Sequence, residues 1–349
     1  MLAKRFGGAE RSFVDMCRAL AARGHAVLAI CEERSQALRY VGKIEGVVIQ
    51  SLRVWGPWDV LARRTIRRYL QEFATDIAQM HLARAARISG PAASALGIPS
   101  VAKMHNYVKL KYYETINLLV PTTVRQVEYL VREGIPGHRY SLIPNFSALA
   151  LQNPNELRRN PRNDLLRVVA IGRLVHKKGF DILLRAISIA RGDGIELSLA
   201  IAGSGPERDA LNALCRELQL QDFVTFLGWQ DNIEECLAQA DVFVLPSRDE
   251  PFGIVCLEAM ALSVPIIATR TDGPSEILDA NTAILIEPDD PNAMAKALKV
   301  IASQPGQAAE RAVSARKRFA QSYSEQAVVT QYLALYEGLI ESKRKSQNA

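Results

Sequence analysis

The sequence has little of what marks a membrane-spanning, secreted or metal-binding chain. No apolar run approaches the roughly 18 residues needed to cross a bilayer. No apolar segment with a small-residue cleavage site opens the chain, so the expectation is a cytoplasmic protein. The five cysteines, Cys17, Cys31, Cys215, Cys236 and Cys256, contain no Cys-x-x-Cys pair, and most have apolar neighbours. They read as small core hydrophobes in a reducing compartment. The five histidines form no His-x-His or His-Glu-x-x-His set, which argues against zinc. With 48% hydrophobic and 23% charged residues the chain is neither disordered nor collagen-like.

At 349 residues the chain exceeds one ordinary core and suits two domains. Its charge is uneven: residues 1–160 carry a net +11 and residues 161–349 a net −5. The basic half is therefore expected to face an anionic surface or substrate. That half has neither an aromatic stacking platform nor a recognition motif, so nucleic acid is set aside as a partner.

The second half alternates short apolar β-branched runs with helical spacing. Expected strands are 166–171, 197–202, 223–226, 242–245, 264–268 and 283–286. Expected helices are 180–190, 206–218 with Pro206 at its first position, 233–238, 253–262 and a short one from Pro274. This is the signature of a parallel α/β sheet with right-handed crossovers. The first half repeats it less regularly, with helices at 11–23, 60–73 and 123–133 and strands at 26–31, 47–52 and 100–104. Residues 151–164 are polar and rich in Pro and Asn, which marks a linker. The reading is an N-terminal domain over 1–160, a second over 161–322, and a C-terminal segment over 323–349 whose helix crosses back to the first. A doubly wound domain should open with a strand, yet only MLAKRF precedes Gly7-Gly8, and Lys4 and Arg5 suit a buried strand poorly. About one strand is expected to be missing there.

Ligands of such sheets bind beyond the carboxyl ends of the strands. GRLVHKKG places Arg173 and Lys178 there, two cations suited to a diphosphate or, more plainly, a solvated basic turn. SRDEPFGIVCLEAM places Glu250 in a loop and Glu258 about one turn into the following helix. Two carboxylates suit the hydroxyls of a ribose or hexose. The plainer alternative is a capping Glu250 and a surface Glu258. Phe252-Gly253-Ile254 lets backbone approach a ligand. Gly203-Ser204-Gly205-Pro206 lacks the third glycine of a dinucleotide fingerprint and reads as a turn into a helix. Asp289-Asp290, flanked by prolines, also reads as a turn.

GRLVHKKG, AGSGPERDAL, DVFVLPSRDEPFGIVCLEAMA and GPSEI, in that order after FGGAERS, resemble the family 4 glycosyltransferases. The resemblance implies the GT-B fold, two Rossmann-like doubly wound parallel-sheet domains facing a cleft. It implies a retaining, metal-independent transfer from a nucleotide-diphosphate sugar to a glycan or lipid-linked acceptor, with no cofactor. By that resemblance Glu258 holds the ribose and Glu250 the donor sugar. The amides of Phe252, Gly253 and Ile254 assist, and Arg173 and Lys178 bind the diphosphate. Gly7 and Gly8 form the glycine loop, Gly203 lies near the nucleotide, and His105, at the end of a strand, binds the sugar. His81 is the rival histidine. FGGAERS and GPSEI are similar to members that build lipopolysaccharide core or capsule. A non-catalytic or inactive nucleotide-sugar-binding protein and a GT-B sugar-nucleotide epimerase are the alternatives.

Residues 53–73 set Ile66, Tyr69, Leu70 and Phe73 on one helical face and Arg63, Arg64, Arg67 and Arg68 on another. Two tryptophans precede them, and Lys109 and Lys111 lie further on. Either the helix lies on the anionic inner membrane as a peripheral contact, or it packs on the sheet with its arginines solvated.

Overall fold

Strands such as Val242–Leu245 and Ile266–Thr269 are buried at every position, as expected of sheet covered on both faces. The computed structural model describes residues 1–3, 7–56, 58–149 and 165–348, without the side chains of 346–348. The chain divides into two units, Met1–Ala148 with Glu325–Ala349, and Leu149–Ser324. The expected linker at 151–164 lies outside the described residues.

In the first unit the order is α1 (Gly8–Ala21), β1 (Val27–Glu32), α2 (Ala37–Val41), β2 (Val47–Leu52) and α3 (Val60–Glu72). It continues with β3 (Ala78–His81), α4 (Leu82–Ser94), β4 (Ser100–Lys103), β5 (Leu118–Val120) and α5 (Val124–Arg132). Two parallel sheets result, β1-β2 and β3-β4-β5. Met1 bridges the free edge of β1: its ammonium donates to the Ile30 carbonyl at 2.7 Å, and the Glu32 N–H donates to the Met1 carbonyl at 3.2 Å. Met1 and Leu2 are buried. A cavity of about 360 Å³, bordered by Val27, Ile30, Ala78, Met80, Ile66 and Tyr336, lies between these sheets. Lys4 and Arg5, on which the missing-strand expectation turned, are outside the described residues.

Three local readings change. Helix α1 starts at Gly8, earlier than Arg11, with Gly7 as its N-cap. Helix α4 has no counterpart in the sequence reading because Gly90 and Pro91 interrupt its pattern. Gly90 is required there by packing, since a Cβ would stand 2.4 Å from the Thr115 hydroxyl. On α3 the residues Ile66 and Leu70 are buried in the core with Ala86 and Ile88 of α4, so its apolar face is already occupied.

The second unit runs β6 (Leu166–Ile171), α6 (Phe180–Gly192), β7 (Leu197–Ala202), α7 (Arg208–Glu217), β8 (Val224–Gly228), α8 (Ile233–Ala238), β9 (Val242–Leu245), α9 (Ile254–Ala261), β10 (Ile266–Thr269), α10 (Asp272–Ile277), β11 (Ile284–Ile286), α11 (Pro291–Ser303) and α12 (Pro305–Ser322). All six strands are parallel in the order β11-β10-β9-β6-β7-β8. Helix α7 begins at Arg208, past Pro206, because the Glu207 N–H bonds the Leu174 carbonyl at 3.1 Å and holds the turn against the neighbouring loop. The chain leaves β6 through β7 to β8, then returns to β9 on the other side of β6. The switch point therefore lies between β6 and β9, where ligands of such sheets bind. A last helix, α13 (Glu325–Asn348), packs Val328, Val329 and Tyr332 with Phe146 and Val120 of the first unit.

Candidate functional site

The loops that leave β6 and β9 carry Lys178 and Glu250, and the fold brings them together. The Lys178 ammonium donates to Oε2 of Glu250, which also accepts from the Ser247 hydroxyl at 3.4 Å. Both side chains are largely withdrawn from water, at 19% and 10% exposure, so bulk solvent screens the pair only weakly. Gly253 (φ 89°) is the N-cap of α9 and stands directly after Phe252. Glu258 follows in the second turn and is buried at 2% exposure, which removes the surface alternative for it. Phe252 is buried against Tyr323, and Ile254 is partly buried at the helix start. Arg173 is exposed just past β6.

Arg248 was missed from sequence. Its guanidinium grips both carboxylate oxygens of Asp181 at 2.7 Å, the carboxylate of Asp289 at 2.6 Å and the His176 carbonyl at 2.8 Å. Two residues before Glu250, it ties the β9 loop to the segment holding Lys178 and to the start of α6. Asp289 thus has an ion-pair role beyond that of a turn residue. Asp290 caps α11 by accepting from the Ala293 N–H at 2.8 Å. A basic residue two before a glutamate was the available signal, but its partners are distant in sequence.

Gly203 has a packing reason of its own. With φ 144°, a Cβ there would lie 1.8 Å from the Gly172 carbonyl oxygen, so the two loops could not approach as they do.

In the first unit the histidines stand at parallel strand ends. His81 closes β3, opposite Lys103 of β4, and His105 lies two residues past Lys103. His81 Nδ1 is 3.1 Å from His105 Nε2, and the ring centroids are 5.2 Å apart with the planes inclined by 28°. Burial lowers both imidazoles, His105 to about 3, with the Lys103 charge adding to the effect. Both are therefore neutral at pH 7. Lys103, also missed from sequence, is buried, donates to the Ser12 hydroxyl at 3.0 Å, and is lowered by burial to about 7 against the pull of Asp15. Gly7 is extended (φ −166°), and a Cβ there would meet the nearest atom, Glu10 Oε2, at 3.5 Å. Packing among the described residues therefore does not demand a glycine at Gly7. Gly8 is the first residue of α1. The Glu10 carboxyl is raised by burial, while hydrogen bonds from the N–H groups of Glu10 and Gly7 oppose the shift.

Comparison with known proteins decides the family. Residues 153–319 match the family described as glycosyl transferases group 1, and residues 6–151 match glycosyltransferase family 4. Over 342 residues the chain is 30% identical to the lipopolysaccharide core biosynthesis glycosyltransferase LpsD of Rhizobium meliloti, covering 95% of each chain. This chain belongs to glycosyltransferase family 4. The glycosyltransferase also superimposes on a solved glycosyltransferase of Rickettsia africae with TM-score 0.83 at 17% identity, covering 97% of this chain and 98% of the other. An Anabaena protein, Alr3699/HepE, solved with UDP and glucose, gives TM-score 0.80 at 17% identity with the same coverage. These likenesses establish the GT-B fold of the glycosyltransferase.

Around Trp55 the glycosyltransferase exposes Trp55 at 74%, Trp58 at 71% and Leu61 at 69%. Arg53 stacks on Trp55 at 3.9 Å and Arg87 on Trp58 at 3.6 Å. Arg64, Arg67 and Arg68 are exposed on α3, Arg63 is half-buried, and Lys109 and Lys111 are exposed. Among the described residues no helix is long and apolar enough to cross a membrane.

Proposed function

We propose that the protein transfers a sugar from a nucleotide-diphosphate sugar, with retention and without a metal, to a lipopolysaccharide-core or related lipid-linked acceptor. The carrying observation is the Lys178–Glu250 pair at the β6/β9 switch point, one short helix start away from the buried Glu258. Lys178 and Arg173 would neutralise the diphosphate as it leaves, a task that falls to a cation in many phosphoryl sites. Glu258 would accept the ribose hydroxyls and Glu250 those of the sugar, with the backbone of Phe252–Ile254 close to the ligand. His105 would donate to a sugar hydroxyl, since a neutral imidazole donates through one nitrogen only. The lipopolysaccharide role of LpsD and the UDP bound by the Anabaena protein support the acceptor class and the donor class.

Nucleotide binding is tested by thermal unfolding in EDTA with UDP, GDP, ADP and CMP in turn. A ligand at about 100 times its dissociation constant adds about 2.7 kcal/mol. One nucleotide should raise the unfolding temperature of the parent and leave Glu258→Ala unmoved. Equal shifts in both proteins would remove Glu258 from the site.

We also propose a peripheral contact with the anionic inner membrane surface. Since the apolar face of α3 is buried, the contact is made by Trp55, Trp58, Val60 and Leu61, with the exposed arginines of α3 and Lys109 and Lys111 adding about 1 kcal/mol each near the surface. Vesicles containing phosphatidylglycerol should sediment the protein at low salt, and the double variant Trp55→Ala, Trp58→Ala should stay in the supernatant. Unchanged sedimentation of the double variant would remove this surface from the proposal.

A further inference from the structure

A chain of four side chains ends on His105 and has a direction. The Tyr336 hydroxyl, on α13, donates to Oε1 of Gln79. Gln79 Nε2 is 2.9 Å from His81 Nε2, and His81 Nδ1 is 3.1 Å from His105 Nε2. Gln79 and His81 alternate on β3, so both backbone positions are fixed by pairing with Val101 and Lys103 of β4.

The direction follows from what each group can give. Tyr336 is buried, and among the described residues its hydroxyl bonds only Gln79, so its proton goes to the amide oxygen. The amide nitrogen then faces His81, and an amide nitrogen only donates. His81 Nε2 must therefore be the unprotonated nitrogen. A neutral imidazole has one proton, so His81 carries it on Nδ1 and donates it to His105 Nε2. That nitrogen must in turn be a bare lone pair, which leaves the His105 proton on Nδ1. The reversed amide would leave the buried Tyr336 proton without an acceptor among the described residues.

We infer that Gln79 and His81, anchored by Tyr336, are positioning residues that hold His105 as its Nδ1–H tautomer, with that N–H as the one donor it can offer a sugar hydroxyl. The functional half of this inference rests on the sugar-binding reading of His105. The groups facing the two rings are consistent with neutrality throughout: burial, the Lys103 ammonium and, for His81, the Met1 ammonium all disfavour a second proton. His81 is thereby the relay between Gln79 and His105. It also touches the Phe13 ring of α1, edge-on at 5.5 Å.

The test is long-range ¹H–¹⁵N correlation spectroscopy of the full chain labelled with ¹⁵N-histidine at pH 7, with signals assigned by single substitution. Both His81 and His105 are expected as Nδ1–H tautomers. In Gln79→Leu the donor to His81 is gone, and the His105 signal should move to a mixture of tautomers. Tyr336→Phe, a milder change that keeps the ring packing, should move it part of the way. Sugar transfer should fall about tenfold in Gln79→Leu through kcat, the size of one lost hydrogen bond. A parent His105 protonated on Nε2, or a tautomer unmoved in both variants, would overturn the relay whatever the activity. A tautomer that moves while turnover does not would leave the relay standing and overturn its role at the sugar.

Discussion

Glu250→Gln lowers turnover by about 10²–10³, the scale found when one preorganised electrostatic partner is removed from a reacting centre. The substitution keeps size and hydrogen bonding and removes the charge. In the parent that charge holds the Lys178 ammonium at the end of β6, and both groups are mostly out of water. The variant leaves the ammonium uncompensated and free to turn towards solvent, so on the proposed role of Lys178 a diphosphate would lose its aligned counter-charge. Lys178→Met should cost a similar factor. The double variant should cost little more than either single one, because the two groups act as a unit. Rates measured with saturating donor and acceptor decide it. A single-variant rate within about twofold of the parent, smaller than one hydrogen bond is worth, would mean that the pair serves folding alone.

Gly203→Ala lowers the stability of the second unit by about 3 kcal/mol, which corresponds to an unfolding temperature about 6–12 °C lower. Two costs add. The backbone there has φ 144°, outside the range a residue with a side chain adopts readily, and the new methyl would stand 1.8 Å from the Gly172 oxygen. Relief requires the β6 loop to retreat, and that loop carries Arg173 and Lys178. The variant should therefore lose nucleotide binding along with stability, although Gly203 offers no side chain to a ligand. Scanning calorimetry measures the shift. A shift under about 2 °C would mean that the loop moves freely, and the rigid setting of Lys178 would then be wrong.

Much of the second unit was legible because most of its strands are short, largely apolar runs followed by a polar loop. Val242–Leu245 running into SRDEPFG is the clearest case. The run locates a strand buried on both faces, and the loop after it must lie at the carboxyl edge. Glu258 was placed within a helix by spacing alone, but its burial was not legible, since a glutamate at that position equally suits a solvated face. Arg248 was hidden because Asp181 and Asp289 are 67 and 41 residues away. The first unit read less well. Gly90 and Pro91 break the helical pattern of α4, whose glycine is set by a neighbour, Thr115, that no local rule contains. The relay to His105 depends on Tyr336, 257 residues from Gln79 in the chain. On α3 the hydrophobic spacing was correct, yet spacing does not tell which surface receives it; the structure gives that face to α4.

The most direct measurement is transfer of a labelled sugar in EDTA to a truncated lipopolysaccharide-core acceptor, offering UDP-glucose, UDP-galactose and GDP-mannose in turn, with the product anomer read by NMR. One of these α-linked donors should give an α-linked product at a rate unchanged by added magnesium. A β-linked product, or transfer that appears only when magnesium is restored, would contradict it.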